Sequence, residues 1–125
     1  MSEQPKPTYN LIEFMDDLKA QDTPKTVKTS KGDIFPIIND DPPFGLILRL
    51  PLNAVSYIEM KGEFVPAAKV LMDIALGTGV YEQLANDQDE EHSLSRNEMN
   101  DFYLLILAAF DPEYTRRLIS HQKNA

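Results

Sequence analysis

The side chains in this sequence that are capable of chemistry are few, and their spacing suits little of it. There is no cysteine, which removes thiol catalysis, thiolate metal sites and disulfides. The two histidines, His92 and His121, are far apart. A histidine metal site needs converging spacing, such as i, i+4 on one helix. His92 falls instead in an acidic linker and His121 in the C-terminal fringe, and both read as exposed surface residues. Asp16-Asp17 and Asp40-Asp41 are adjacent carboxylates. Successive residues of a helix point about 100° apart. Asp16-Asp17 therefore reads as a solvated face beside Met15 and Leu18. Asp40-Asp41, ahead of two prolines, reads as turn chemistry rather than a general acid–base pair. The acidic run Asp87 to Glu91 has the oxygen content of a calcium loop without its D-x-D-x-D-G order or its distal glutamate. Gly77-Thr78-Gly79 is too short to cradle a phosphate, and no serine stands in a nucleophile-elbow context. The expectation is a protein that is not an enzyme and uses neither metal nor cofactor.

The totals agree with that. A chain of 125 residues, 42% hydrophobic and 26% charged, has the size and composition of one folded domain. Its formal net charge of -8 repels phosphate backbones and anionic membranes, so neither nucleic acid nor membrane is an expected partner. The longest apolar run, Phe102 to Phe110, is about half of what a membrane-spanning helix requires. The N-terminal "MSEQPKPTYN" lacks the basic, apolar and small-residue succession of a secretory signal. A cytosolic protein is expected.

These residues must be positioned by local elements. Residues 1–9 read as a flexible arm. Asn10 caps a helix predicted over Leu11 to Ala20, whose apolar residues recur at i, i+3, i+4, i+7. In "KTVKTSKGDIFPII", β-branched stretches flank Ser30-Lys31-Gly32-Asp33, which signals a hairpin with Gly32 at positive φ. Asp40 to Gly45 reads as a loop broken by Pro42 and Pro43 and anchored by Phe44. Leu46 to Leu50 is either a buried strand or the start of a helix. From Leu52 onward the pattern reads as helices. One runs to Lys61 and closes at Gly62. One starts at Pro66 and stops at Gly77. A short one bears Val80, Tyr81 and Leu84. After the linker "NDQDEEH", Ser95 and Glu98 form a capping box ahead of a helix over Arg96 to Phe110. Asp111 and Pro112 recap a last helix in which Tyr114 and Leu118 recur, and the tail 122–125 frays. The fold class read from this is mainly α: a small helical domain over 10–121 with one short N-terminal β-hairpin.

The helix over 96–110 raises the functional question. Met99, Phe102, Tyr103, Ile106 and Phe110 share one stripe, and Leu104, Leu105 and Leu107 spread onto its flanks. That is more apolar surface than a surface helix needs. Phe102, Tyr103, Ile106 and Phe110, with Phe44 and Leu48, are thus the candidate partner-binding residues, serving either as hidden core or as contact surface.

The order of features carries a resemblance. The hairpin "TVKTSKGDIFPI" leads into "PPFGLILRLP". An L-G-x-x-x-Y-x-x-L segment, "LGTGVYEQL", and an S-x-x-E-M helix start in "HSLSRNEM" follow. In this the chain is similar to the tail assembly chaperones of long-tailed bacteriophages, especially those infecting actinobacteria, over roughly residues 26–115. The resemblance implies a mostly helical, acidic, non-virion protein of the host cytoplasm. It would bind the tape measure protein, a long, hydrophobic, helical chain, and keep it soluble before the tail tube polymerises. It also implies a second, longer form made by ribosomal frameshifting, with which the short form could associate, and it leaves room for a homo-oligomer. The helix over 11–20, the proline arm and the length of the acidic insert depart from the family pattern.

Two other classes compete. A structural phage part, such as a head–tail connector or tail terminator, would form rings and carry more β-structure. An acidic DNA mimic would need carboxylates spaced like phosphates over a long face. Here they cluster at Asp87 to Glu91 and Asp40-Asp41, with lysines and arginines scattered between.

Overall fold

A computed structural model describes residues 11–21, 25–113 and 115–117. The arm 1–9, the Asn10 cap, the Tyr114 and Leu118 pair, His121 and the tail 122–125 lie outside the described residues.

The centre is helix α5. In chain order the elements are α1 (Leu11–Ala20), β1 (Thr26–Lys28), β2 (Ile34–Pro36), α2 (Phe44–Arg49), β3 (Tyr57–Met60), β4 (Glu63–Pro66), α3 (Ala67–Ala75), α4 (Val80–Ala85) and α5 (Arg96–Phe110). Helical residues continue at 112–113 and 115–117. The start of α5 is the expected capping box. The Ser95 hydroxyl accepts the Glu98 amide at 3.2 Å, and the Glu98 carboxylate accepts the Ser95 amide at 2.9 Å. Every residue from Phe102 to Ala108 is buried. Seven consecutive residues cover all azimuths of a helix, so this segment keeps no open face. It is enclosed by α1, α3 and β1. The Tyr103 hydroxyl donates to the Pro51 carbonyl at 2.5 Å, which satisfies its polar end inside the core.

The first hairpin forms where the β-branched residues place it, with Val27 paired to Phe35. Its turn is organised by Thr29. The buried Thr29 hydroxyl accepts the amides of Lys31 and Asp33, both at 3.2 Å, and Gly32 takes φ 93°. Val27 is buried and the Phe35 ring lies 6.1 Å from the Phe102 ring, tilted by 55°, within the range for a favourable aromatic pair. The hairpin tip is tied to the start of α5. Ser30 donates to Glu98 at 2.6 Å, and His92 Nδ1 meets Asp33 at 2.8 Å.

The expected fold class is corrected by a second hairpin. Strands β3 and β4 pair antiparallel with Met60 opposite Glu63, leaving Lys61 and Gly62 as a two-residue turn. Both turn residues have positive φ, 54° and 85°, the requirement of the turn whose twist matches a hairpin. The sequence pattern predicts a helix over Leu52 to Lys61 with Gly62 as its C-cap. Instead, Gly62 serves a turn, and Tyr57, Ile58, Phe64 and Val65 supply the β-branched and aromatic content of strands. Next to a two-residue turn the residue pairs alternate between bonded and non-bonded. That places Tyr57 opposite Pro66 at a non-bonded position, where proline's missing N–H costs nothing. The same alternation turns the Glu59 carbonyl outward, and Arg49 at the end of α2 donates to it at 2.6 Å.

Two further outcomes concern the middle of the chain. Leu46 to Leu50, whose periodicity fits strand and helix alike, is mostly helical, with Leu46, Ile47 and Leu50 buried. The helix begins at Phe44, so Gly45 belongs to it rather than to the loop. Phe44 does not anchor that loop by burial: it is 72% exposed. Helix α3 follows Pro66 and ends before Gly77, whose φ of 112° stops it as expected.

Candidate partner-binding groove

Pro42 and Pro43 force extended backbone ahead of α2. The Asn39 side chain accepts the Asp41 amide at 3.0 Å, which fixes a turn, and Pro43 (φ -56°, ψ 129°) stands at the helix start. Its carbonyl accepts the amides of Leu46 and Ile47. In a six-residue helix begun this way, Leu46 and Ile47 go inward. Phe44 and Leu48, at i and i+4, share the outward face, 72% and 63% exposed.

This face adjoins the end of α5. Phe110 is the last residue of α5 and is only partly buried, and Asp111 ends the helix with its amide on the Leu107 carbonyl at 3.0 Å. The Asp111 carbonyl accepts both the amide and the hydroxyl of the buried Thr115, at 3.1 and 2.8 Å, which holds the turn after α5. Between the two elements lies an open groove of about 240 Å³, whose lining mixes the apolar Phe44, Ile47, Ala109 and Phe110 with Asp40, Asp41 and Asp111. Among the described residues lining it, none is basic.

The six candidate residues therefore divide. Phe44 and Phe110 come together in this groove, with Leu48 one turn further along the exposed face of α2. Phe102, Tyr103 and Ile106 are fully buried in the core and form no surface. Sequence reasoning did not single out two other exposed aromatics, Tyr57 and Phe64, at 65% and 73% exposure. They lie on the same outer face of the second hairpin, two residue pairs apart, with the Ile58–Val65 pair between them. Their signal was the alternation across Lys61-Gly62, hidden by reading that stretch as helix.

The groups displaced from their ordinary titration lie outside the groove. Asp33 beside His92 raises the imidazole above its ordinary value by hydrogen bonding and charge, with Asp89 and Glu91 adding to it. His92 is thus tied to the first hairpin, 59 positions away, which no local pattern announces. The Ser30 hydroxyl holds the Glu98 carboxyl below its usual range, aided by the Ser95 amide. Burial in α5 raises Asp101, with the Glu98 charge contributing. Lys69 bonds Glu82 and lies 3.1 Å from Asp73, joining α3 to α4. The acidic run is a turn in which the Asn86 side chain accepts the Gln88 amide at 3.0 Å. Among the described residues no group of three or more His, Asp or Glu side chains is placed to hold a metal ion, and no described helix is long and apolar enough to cross a membrane. A groove lined by apolar side chains and carboxylates can hold a chain segment through contact and charge.

Comparison of the chain with protein-family models, curated proteins and solved structures gives no match.

Proposed function

We propose that this chain is a tail assembly chaperone of a long-tailed bacteriophage, working in the host cytoplasm to keep the hydrophobic, helical tape measure protein soluble until the tail tube forms around it. The observation that carries the reading is the exposed apolar face of Phe44 and Leu48, continued by Phe110, on a chain of net charge -8. Solvent-exposed aromatic and aliphatic side chains beside a groove favour a partner, and net charge keeps such a carrier dispersed. The motif order from the first hairpin to the capped α5 supports the same reading. The partners would be the tape measure protein and the frameshifted longer form of this chain. The test is co-expression with a tape measure protein. Wild-type chain should keep it in the supernatant, and Phe44→Ser with Leu48→Ser should not. A client equally soluble with and without this chain refutes the proposal.

One observation favours a second reading. The second hairpin gives the protein more β-structure than expected, in the direction of a connector or tail terminator. Stoichiometric copies in purified virions would select that reading over the chaperone.

A further inference from the structure

We infer that the groove between α2 and the end of α5 takes one kind of partner segment: an amphipathic helix whose apolar face is bordered by lysine or arginine. The inference rests on the proposed chaperone reading and specifies the chemistry of what is bound.

The groove is lined by two kinds of side chain. Phe44, Ile47 and Phe110 supply its apolar contacts, and Leu48 continues the exposed apolar face by one turn of α2. Aromatic anchors of this kind supply most of the energy of small interfaces. Asp40 and Asp41 line the same groove, both exposed. Two adjacent carboxylates beside these apolar side chains repel an acidic segment and favour cations. An extended peptide adding to a sheet is a poor occupant here, because the lining comes from helix ends and a proline loop rather than strand edges. A second copy of this chain meets the groove with net charge -8, so charge opposes self-association at this place. An anionic lipid surface is opposed in the same way.

The experiment uses two synthetic peptides of about five helical turns, identical in a leucine-rich face. One carries lysine along both borders of that face, the other glutamate at the same positions. Binding to the full chain is followed by fluorescence anisotropy at low and moderate salt. The lysine peptide should bind, more weakly as salt rises, and the glutamate peptide should bind at least about tenfold more weakly, a difference of about 1.4 kcal/mol. Phe44→Ser should weaken the lysine peptide about tenfold. Asp40→Asn with Asp41→Asn should remove most of the salt dependence. All three positions are exposed, so these variants keep the fold; circular dichroism checks that. Equal binding of both peptides, or wild-type affinity in both variants, overturns the inference. Concentration-dependent dimers that Phe44→Ser abolishes would overturn it as well, assigning the groove to a second copy. The two proposals fail separately. If a tape measure protein is held by the chain and by both groove variants alike, the groove assignment fails and the chaperone reading stands. If the lysine peptide behaves as expected while no tape measure protein is kept soluble, the chaperone reading fails and the groove stands.

Discussion

Phe102 and Phe44 look alike in sequence, each an aromatic in an apolar run, but the fold gives them opposite consequences. Phe102 is fully buried, and its ring pairs with Phe35 of the first hairpin. Phe102→Ala removes a large side chain from a region closed on all sides. The expected cost is about 3–5 kcal/mol for the lost transfer energy and the cavity, with about 0.5–1.5 kcal/mol of that order at stake in the aromatic pair. A domain of this size has about 5–15 kcal/mol of stability in all. The loss should therefore lower the midpoint of thermal unfolding by roughly 10–20 °C. Phe44→Ala removes a ring that is mostly in water, and its cost should stay within about 0.5 kcal/mol. Urea unfolding of both variants, followed by circular dichroism, measures the difference. The same two proteins, at a temperature where both are folded, are then tested for client retention. Only Phe44→Ala should impair it. A loss below about 1 kcal/mol for Phe102→Ala, or a larger one for Phe44→Ala, would refute the division of the six candidates into core and surface.

Other outcomes follow from the polar contacts. Ser95→Ala should cost about 1 kcal/mol through loss of the α5 cap, and Glu98→Ala more, because Glu98 also accepts from Ser30 of the first hairpin; chemical denaturation of the two variants compares them. The folded value of His92 is raised above 6.5 by Asp33, so its contribution is complete below about pH 6.5 and is lost as pH rises through the folded value. The stability difference between wild type and His92→Gln should shrink on that rise, in a titration of unfolding midpoints. Asp101 is raised above 3.8 by burial, so its charged form is disfavoured in the fold. Asp101→Asn should be more stable than wild type at neutral pH, and the gain should vanish below about pH 4, as read from the same titration.

How much of this was legible in the sequence depends on the range of the interaction involved. The α5 cap is a matter of residues three apart, and Ser95 and Glu98 announce it. The stops at Gly77 and the turn at Gly32 are likewise local. The second hairpin was missed although it is local, because "YIEM" and "EFVP" are too short for periodicity to separate strand from helix, and Gly62 ends a helix as readily as it completes a turn. The groove is not local. Phe44 and Phe110 meet only once α2 is set against the end of α5, and an apolar residue in a proline-rich loop looks more like an anchor than a surface feature. The His92–Asp33 contact joins a linker to a hairpin tip, and neither segment carries a mark of the other.

Burial of α5 changes what a chaperone reading must explain. The apolar stripe that first suggested a client is consumed by folding, since Phe102 to Ala108 leave no face for another molecule. What remains near the groove is Phe44, Leu48 and part of Phe110. Burying two or three such side chains yields about 1.5–3 kcal/mol each, against an association cost of about 4 kcal/mol or more. One copy on one site is therefore a weak complex even with the aspartates assisting. Useful retention must come from many copies along one long client, or from copies joined to one another or to a longer form of the chain. Apparent affinity should then rise steeply with the length of a tape-measure fragment, in a series measured at fixed concentration of this protein. A fragment carrying one apolar repeat that binds as tightly as the full client would contradict this, because the groove has too little surface to hold it alone.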